Sequence, residues 1–195
     1  MARTPSTMTP LGTVAPAFAL PDTEGHIVSS RDFDAAPALL IVFLCNHCPY
    51  VKHIRHSLAA LSREFNARGV AIVGINANDA EQYPEDGPDA MKREKDTIGY
   101  DFPYLFDETQ EVAKAYDAAC TPDFFLFDAT RRLVYRGQYD GSRPSNDVPV
   151  TGEDLRAAID AVLAGERPSD EQRPSLGCNI KWKPGNEPAF FTQMR

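Results

Sequence analysis

A cysteine thiol that loses its proton becomes a nucleophile toward other sulfur atoms. The stretch "FLCNHCPYVKHIRH" (43–56) sets two such residues, Cys45 and Cys48, on either side of Asn46 and His47. Thiols at this spacing meet in a disulfide only where the backbone turns sharply, as in the first turn of a helix. The local sequence supplies that turn. The apolar run "ALLIVFLC" (38–45) leads in. Pro49 follows, and proline suits a first helical turn because its missing N–H would be unpaired there anyway. Unpaired N–H groups and the helix dipole favour thiolate over thiol at such a terminus. His47, Lys52, His53, Arg55 and His56 add positive charge nearby. The expectation is a lowered pKa at Cys45, with Cys45 attacking and Cys48 resolving the mixed disulfide. A stabilised thiolate also makes the pair more oxidising.

Two other readings use the same sulfurs. Free cysteine often serves as a small buried hydrophobe. Cys45, Cys48 and His47 could also begin a metal site, with Cys120, Cys178 or His53 completing four ligands. The chain lacks a second paired-ligand motif, so no resident metal and no bound cofactor is expected.

The elements that would position the pair follow from periodicity. The run 38–45 is short and continuously apolar, as in a strand buried on both faces. Val51, Ile54, Leu58, Leu61 and Phe65 recur at helical spacing up to Gly69. "VAIVGI" (70–75) is a second buried strand, and 76–88 is a polar, proline-broken loop whose acidic "EDGPD" reads as solvated. Helices are expected around "DAMKREKDTIG" and "TQEVAKAYDA", and strands at "YLFD", "FFLFD" (124–128) and "RLVYRGQY" (132–139). Thr151 and Asp154 suggest a capping box opening the helix "EDLRAAIDAVLAG". "APAFALPDTEGHIVSS" has the turn chemistry of a hairpin.

The resulting class is α/β, a central mixed sheet flanked by helices, with an N-terminal hairpin extension and a C-terminal tail. Residues 1–9 read as a loose arm, 10–165 as one domain, and 166–195 as an extension. That extension is aperiodic but carries Leu176, Ile180, Trp182, Phe190 and Phe191, too apolar to stay unpacked. It is expected to fold back on the domain or onto a neighbour, which leaves a homo-oligomer open.

The 195 residues carry a net charge of −8, which argues against nucleic acid because no basic field offsets phosphate repulsion. No apolar run reaches bilayer length. "MARTPSTMTPLG" lacks a secretory signal, so a cytoplasmic location is expected. In that reducing setting the four cysteines are more often catalytic or metal-binding than structural.

"APAFALPDTEGHIVSSRDFDAAPALLIVFLCNHCPYV", "GVAIVGINAND", "FPYLFDETQEVAKAYDAACTPDFFLFD" and "LVYRGQYD" resemble, in order, the thioredoxin-like superfamily in its alkyl hydroperoxide reductase/thiol-specific antioxidant (redoxin) branch. The tail "GCNIKWKPGNEP" points to a subgroup with a Cys-Asn-His-Cys motif. The resemblance implies a thioredoxin fold and a cis peptide at Thr121–Pro122 facing the two cysteines. It further implies that the Thr121 backbone and Pro122 contact a bound substrate chain. Leu44 stands where thioredoxin has Trp, and Asn46-His47 stand where it has Gly-Pro. A histidine just before the second cysteine is similar to the disulfide isomerases and periplasmic oxidants of the superfamily, which implies a more oxidising couple. On the peroxiredoxin motif Pro-x-x-x-Thr-x-x-Cys, Cys48 would be the peroxidatic residue. Ile41 and Cys45 stand at the Pro and Thr positions, so two parts of a peroxide pocket are missing.

The function expected is a thiol–disulfide oxidoreductase acting on protein or small-molecule thiols and disulfides, with electrons from an external thiol reductant. A thiol peroxidase acting on peroxides is the alternative, and a metal-binding thiol module the third reading. Cys120 and Cys178 are candidate auxiliary thiols, Cys178 as a resolving or relay group.

Overall fold

A computed structural model describes residues 3–193, with side chains described up to Phe191. The centre is a five-stranded mixed sheet in the order β6-β5-β4-β8-β9. Its strands are β4 (Ala38–Phe43), β5 (Ala71–Asn76), β6 (Tyr104–Phe106), β8 (Asp123–Asp128) and β9 (Leu133–Tyr135). β4 lies in the middle, parallel to β5 and antiparallel to β8. This placement explains its composition. Leu40 and Val42 face one core with Leu44, alongside Val51, Ile54 and Leu58 of α1 (Pro49–Asn66) and Leu155 and Ile159 of α4 (Glu153–Leu163). Leu39, Ile41 and Phe43 face a second core with Phe18, Ala113, Tyr116, Ile180 and Trp182. A strand covered on both faces must be apolar at every position.

Helix α2 (Pro88–Ile98) precedes β6, and α3 (Glu111–Ala115) follows it. β2 (Ala19–Pro21) and β3 (Ile27–Ser29) form the expected hairpin. A third sheet, of order β1-β10-β7, joins β1 (Arg3–Pro5), β10 (Leu176–Asn179) and β7 (Cys120–Thr121). It carries the tail back across the domain, and the only tryptophan, Trp182, enters the second core. A last helix, α5, spans Ala189–Gln193.

Three local expectations are corrected. The arm at 1–9 is not loose over its described part: β1 pairs with β10, and Thr4 and Ser6 are buried (residues 1 and 2 lie outside the described residues). β9 is shorter than 132–139, ending at Tyr135. The Thr151–Asp154 capping box does not form, because Gly152 caps α4 in a left-handed conformation and Asp154 accepts a hydrogen bond from Gln138 instead. Among the described residues, no helix is long and apolar enough to cross a membrane.

Candidate active site

The two cysteines sit where β4 leaves the sheet and α1 begins. The Leu44 N–H still bonds to the Ile75 carbonyl, 2.9 Å away, as the last ladder contact. Cys48 is the N-cap of α1, and Pro49 follows it as the first helical residue. The Cys48 carbonyl accepts the first helical bond, from Lys52 N–H at 2.9 Å. The turn between sheet and helix is therefore local in origin, and it places both thiols in one buried cluster.

Thr121 is the residue around which the sulfurs gather. Its peptide bond to Pro122 is cis. The Cys45 Sγ lies 3.3 Å from Thr121 Oγ1, and the Cys48 thiol donates to the Thr121 carbonyl at 3.1 Å. β10 pairs with β7 so that Cys178 stands opposite Thr121. The strand edge that the family resemblance assigns to a bound substrate is thus already paired within the chain. Cys45, Cys48 and Cys178 share one buried cluster. Cys120 does not join them: successive strand residues point to opposite faces, and its thiol turns toward the Pro122 carbonyl at 3.5 Å.

Asp86 anchors the other side. Its Oδ1 accepts from the Asn46 backbone N–H at 2.8 Å, and its Oδ2 accepts from Asn78 Nδ2 at 2.8 Å and from His47 Nδ1 at 2.6 Å. Asn46 is further held by the Glu85 carbonyl and the Tyr104 hydroxyl, and the His47 ring stacks on Tyr83. The sequence reading of "EDGPD" as solvated is corrected here, since Asp86 is 0% exposed. Its only local signal is a carboxylate next to glycine and proline in a polar loop, which the exposed Glu85 shares.

This environment acts on the two sulfurs in opposite directions. Burial pushes the Cys45 thiol well up, and the Cys48 thiol and the Asp86 carboxylate add to the effect. The thiols of Cys178 and Cys45 draw the Cys48 pKa down against its burial, helped by the backbone N–H groups of Val51 and Cys178. The Thr121 carbonyl works against this, because only a protonated sulfur can donate to it. The expectation of a lowered Cys45 pKa is thus reversed. Of the basic residues counted on in sequence, His47 lies near Cys45 but is paired with Asp86, Lys52 and His56 are exposed, and Arg55 pairs with Glu94 at 3.1 Å.

His47 is tuned by its carboxylate partner. The hydrogen bond to that carboxylate raises the imidazole pKa, against partial burial. A raised histidine pKa gives stability that is fully present below the ordinary value of about 6.5 and is lost as pH climbs through the folded value. His47→Gln is therefore expected to cost about 1 kcal/mol below that ordinary pKa, and progressively less above it. Urea midpoints measured across pH 5–9 check this, and a cost independent of pH would remove the charged pair from the account.

Cys45, His47 and Asp86 are the metal-capable cluster among the described residues, with donor atoms within 4.8 Å of one another. The carboxylate already accepts three hydrogen bonds, and His47 Nδ1 is bound to it. An ion would have to break that set, so the donors fit a proton relay better than a coordination shell. A surface cleft between α4 and residues 167–173 lies elsewhere, and no cysteine lines it. Cys45 and Cys48 are 1% and 0% exposed, so a second molecule reaches them only if part of their cover moves.

A solved structure of an uncharacterized conserved protein from Geobacillus kaustophilus is 55% identical, with a TM-score of 0.93, covering 95% of this chain and 98% of that one. The thiol-disulfide oxidoreductase ResA of Halalkalibacterium halodurans is 26% identical over 63% of this chain. A Mycobacterium tuberculosis protein that bears the name peroxiredoxin is 28% identical over 55% of this chain. The chain spans 65% and 63% of the length of these two curated relatives. At 22% identity, structures of thiol–disulfide proteins match with TM-scores of 0.55 and 0.63, a likeness of fold alone that shows it to be thioredoxin-like. The AhpC/TSA family model matches residues 11–136, and the chain belongs to that family.

Proposed function

We propose that the protein is a thiol–disulfide oxidoreductase that cycles Cys45 and Cys48 between dithiol and disulfide. One observation carries the reading: both sulfurs converge on the residue before a cis proline, at 3.3 and 3.1 Å, from the N-cap turn of a helix. The name of the ResA relative supports the same chemistry. In reduction, a Cys48 thiolate attacks one sulfur of a substrate disulfide and releases the other as a thiol. Cys45 then attacks Cys48, frees the remaining substrate thiol and closes the Cys45–Cys48 bond. His47, held by Asp86, stands within 4.8 Å of Cys45 and can take its proton. An external thiol restores the pair. A protein disulfide would enter only after β10 lifts from β7, whereas a small disulfide needs less movement.

The test is insulin reduction with dithiothreitol as electron donor. The wild type is expected to accelerate it, and Cys48→Ser to fall to the uncatalysed rate. A Cys48→Ser protein as fast as wild type would overturn the reading.

A second reading rests on the lowered pKa of Cys48, the position that aligns with a peroxidatic cysteine. There the Cys48 thiolate would attack a hydroperoxide, becoming a sulfenic acid as the O–O bond breaks and an alcohol or water leaves. Peroxide consumption that persists in Cys45→Ser and vanishes in Cys48→Ser would favour it. Ile41 and Cys45, in place of Pro and Thr, weigh against it.

A further inference from the structure

We propose that Cys178 is a third redox thiol, held by β10 as an internal exchange partner of Cys48, so that a disulfide moves between Cys45–Cys48 and Cys48–Cys178. The inference rests on the disulfide-cycling reading above and names a further participant in it.

The placement is built by backbone, not by a chance side-chain contact. β10 is paired on both edges, with β1 through Arg3 and Cys178 and with β7 through Thr121 and Cys178. Its register is therefore set twice. Gly177 shows how closely it lies on β7: a Cβ there would stand 2.0 Å from the Thr121 carbonyl oxygen. No residue with a side chain allows that approach. The same oxygen lies 3.1 Å from Cys48 Sγ, so a strand pressed onto it brings its next residue to that sulfur. The Cys178 thiol and N–H both engage Cys48. Thr121 thus contacts all three sulfur-bearing residues: Cys45 through its hydroxyl, Cys48 through its carbonyl, and Cys178 through strand pairing. Cys120 is the contrast, one residue away on the same strand and turned from the cluster.

The exchange balances without an added oxidant. The Cys178 thiol loses its proton, and its sulfur attacks Cys48 Sγ. The Cys48–Cys178 bond forms as the Cys45–Cys48 bond breaks. The electron pair of the broken bond goes to Cys45, which takes up one proton. One disulfide and one thiol stand on each side, with no net oxidation. The product ties the tail to the start of α1 and leaves Cys45 free, within 4.8 Å of the His47–Asp86 pair.

The test uses the full chain. Cys45→Ser retains Cys48, Cys120 and Cys178 of the four cysteines. After oxidation with diamide, its free thiols titrated in denaturant are expected to fall from three to one. Acid-quenched, non-reducing peptide mapping should recover Cys48 linked to Cys178. In the wild type, equilibrated in a glutathione buffer, both Cys45–Cys48 and Cys48–Cys178 peptides should appear, and Cys178→Ser should remove only the second. The wild-type measurement needs no variant to fold. Full alkylation of Cys178 in both proteins, or linkage of Cys48 to Cys120 instead, would overturn the proposal. If Cys45–Cys48 forms while Cys48–Cys178 never does, the relay fails and the disulfide cycle stands. If only Cys48–Cys178 forms, the Cys45–Cys48 cycle fails and the exchange between the two disulfides fails with it.

Discussion

Asp86→Asn is expected to cost about 3 kcal/mol of folding stability. That corresponds to a melting temperature lower by about 6–12 °C for a chain of this size. The carboxylate is acceptor-only and fully buried, and three donors converge on it: Asn46 N–H, Asn78 Nδ2 and His47 Nδ1. An amide has one oxygen and one NH2 group. Whichever way it is turned, at least one donor faces another donor in a site that water cannot reach, and a buried polar group without a partner is costly. Histidine also loses its counter-charge, so its pKa falls back and the pH dependence described above disappears with it. If the amide nitrogen faces Asn46, the turn between the cysteines loses the bond that holds it. The exposed neighbour Glu85 is the control, because its hydrogen bond to the site is made by its backbone carbonyl and its carboxylate adds only a minor charge effect on His47. Glu85→Gln should change stability by no more than about 0.5 kcal/mol. An Asp86→Asn protein melting with wild type would mean that the carboxylate does not anchor the site.

Gly177→Ala is expected to part β10 from β7. The added methyl would meet the Thr121 carbonyl oxygen at 2.0 Å and its carbon at 2.6 Å. Both are backbone atoms in a paired strand beside a cis peptide, and neither can rotate away as a flexible side chain would. Overpacking in a close-packed region typically costs about 1–3 kcal/mol. Here a less costly escape is for the strand to detach, giving up its pairs with Thr121 and Cys120. Detachment uncovers the sulfurs, so iodoacetamide should label Cys48 and Cys178 much faster than in wild type while the circular dichroism spectrum is kept. Gly141→Ala is the matched control, since its Cβ would make only an ordinary 3.8 Å contact with Val148. Unchanged protection of the sulfurs in Gly177→Ala would show that β10 is not their cover.

The two substitutions also mark where local reading stops. The strand, turn and helix around Cys45–Cys48 were legible because their causes lie within a few residues. The apolar run makes β4, proline starts α1, and the period of Val51, Ile54, Leu58 and Leu61 buries one face of it. The Asp-Thr-Glu-Gly turn between two short extended pieces likewise marked the hairpin of β2 and β3. The capping box at Thr151 failed although its residue types were right, because a neighbouring glycine took the cap and Gln138 took the aspartate.

What the sequence determined by itself is a paired thiol at the junction of a buried strand and a helix, inside an α/β domain. Only the tertiary structure decided which groups surround each sulfur, which carboxylate serves the site, and what covers it. Ionisation follows from the donors, charges and solvent within a few ångströms of an atom. Asp86 arrives there from forty residues beyond Asn46, and Cys178 arrives on a tail strand whose register is set by pairing rather than by pattern. The positive charge of Lys52, close in sequence, points into water, where screening removes its effect on the sulfur.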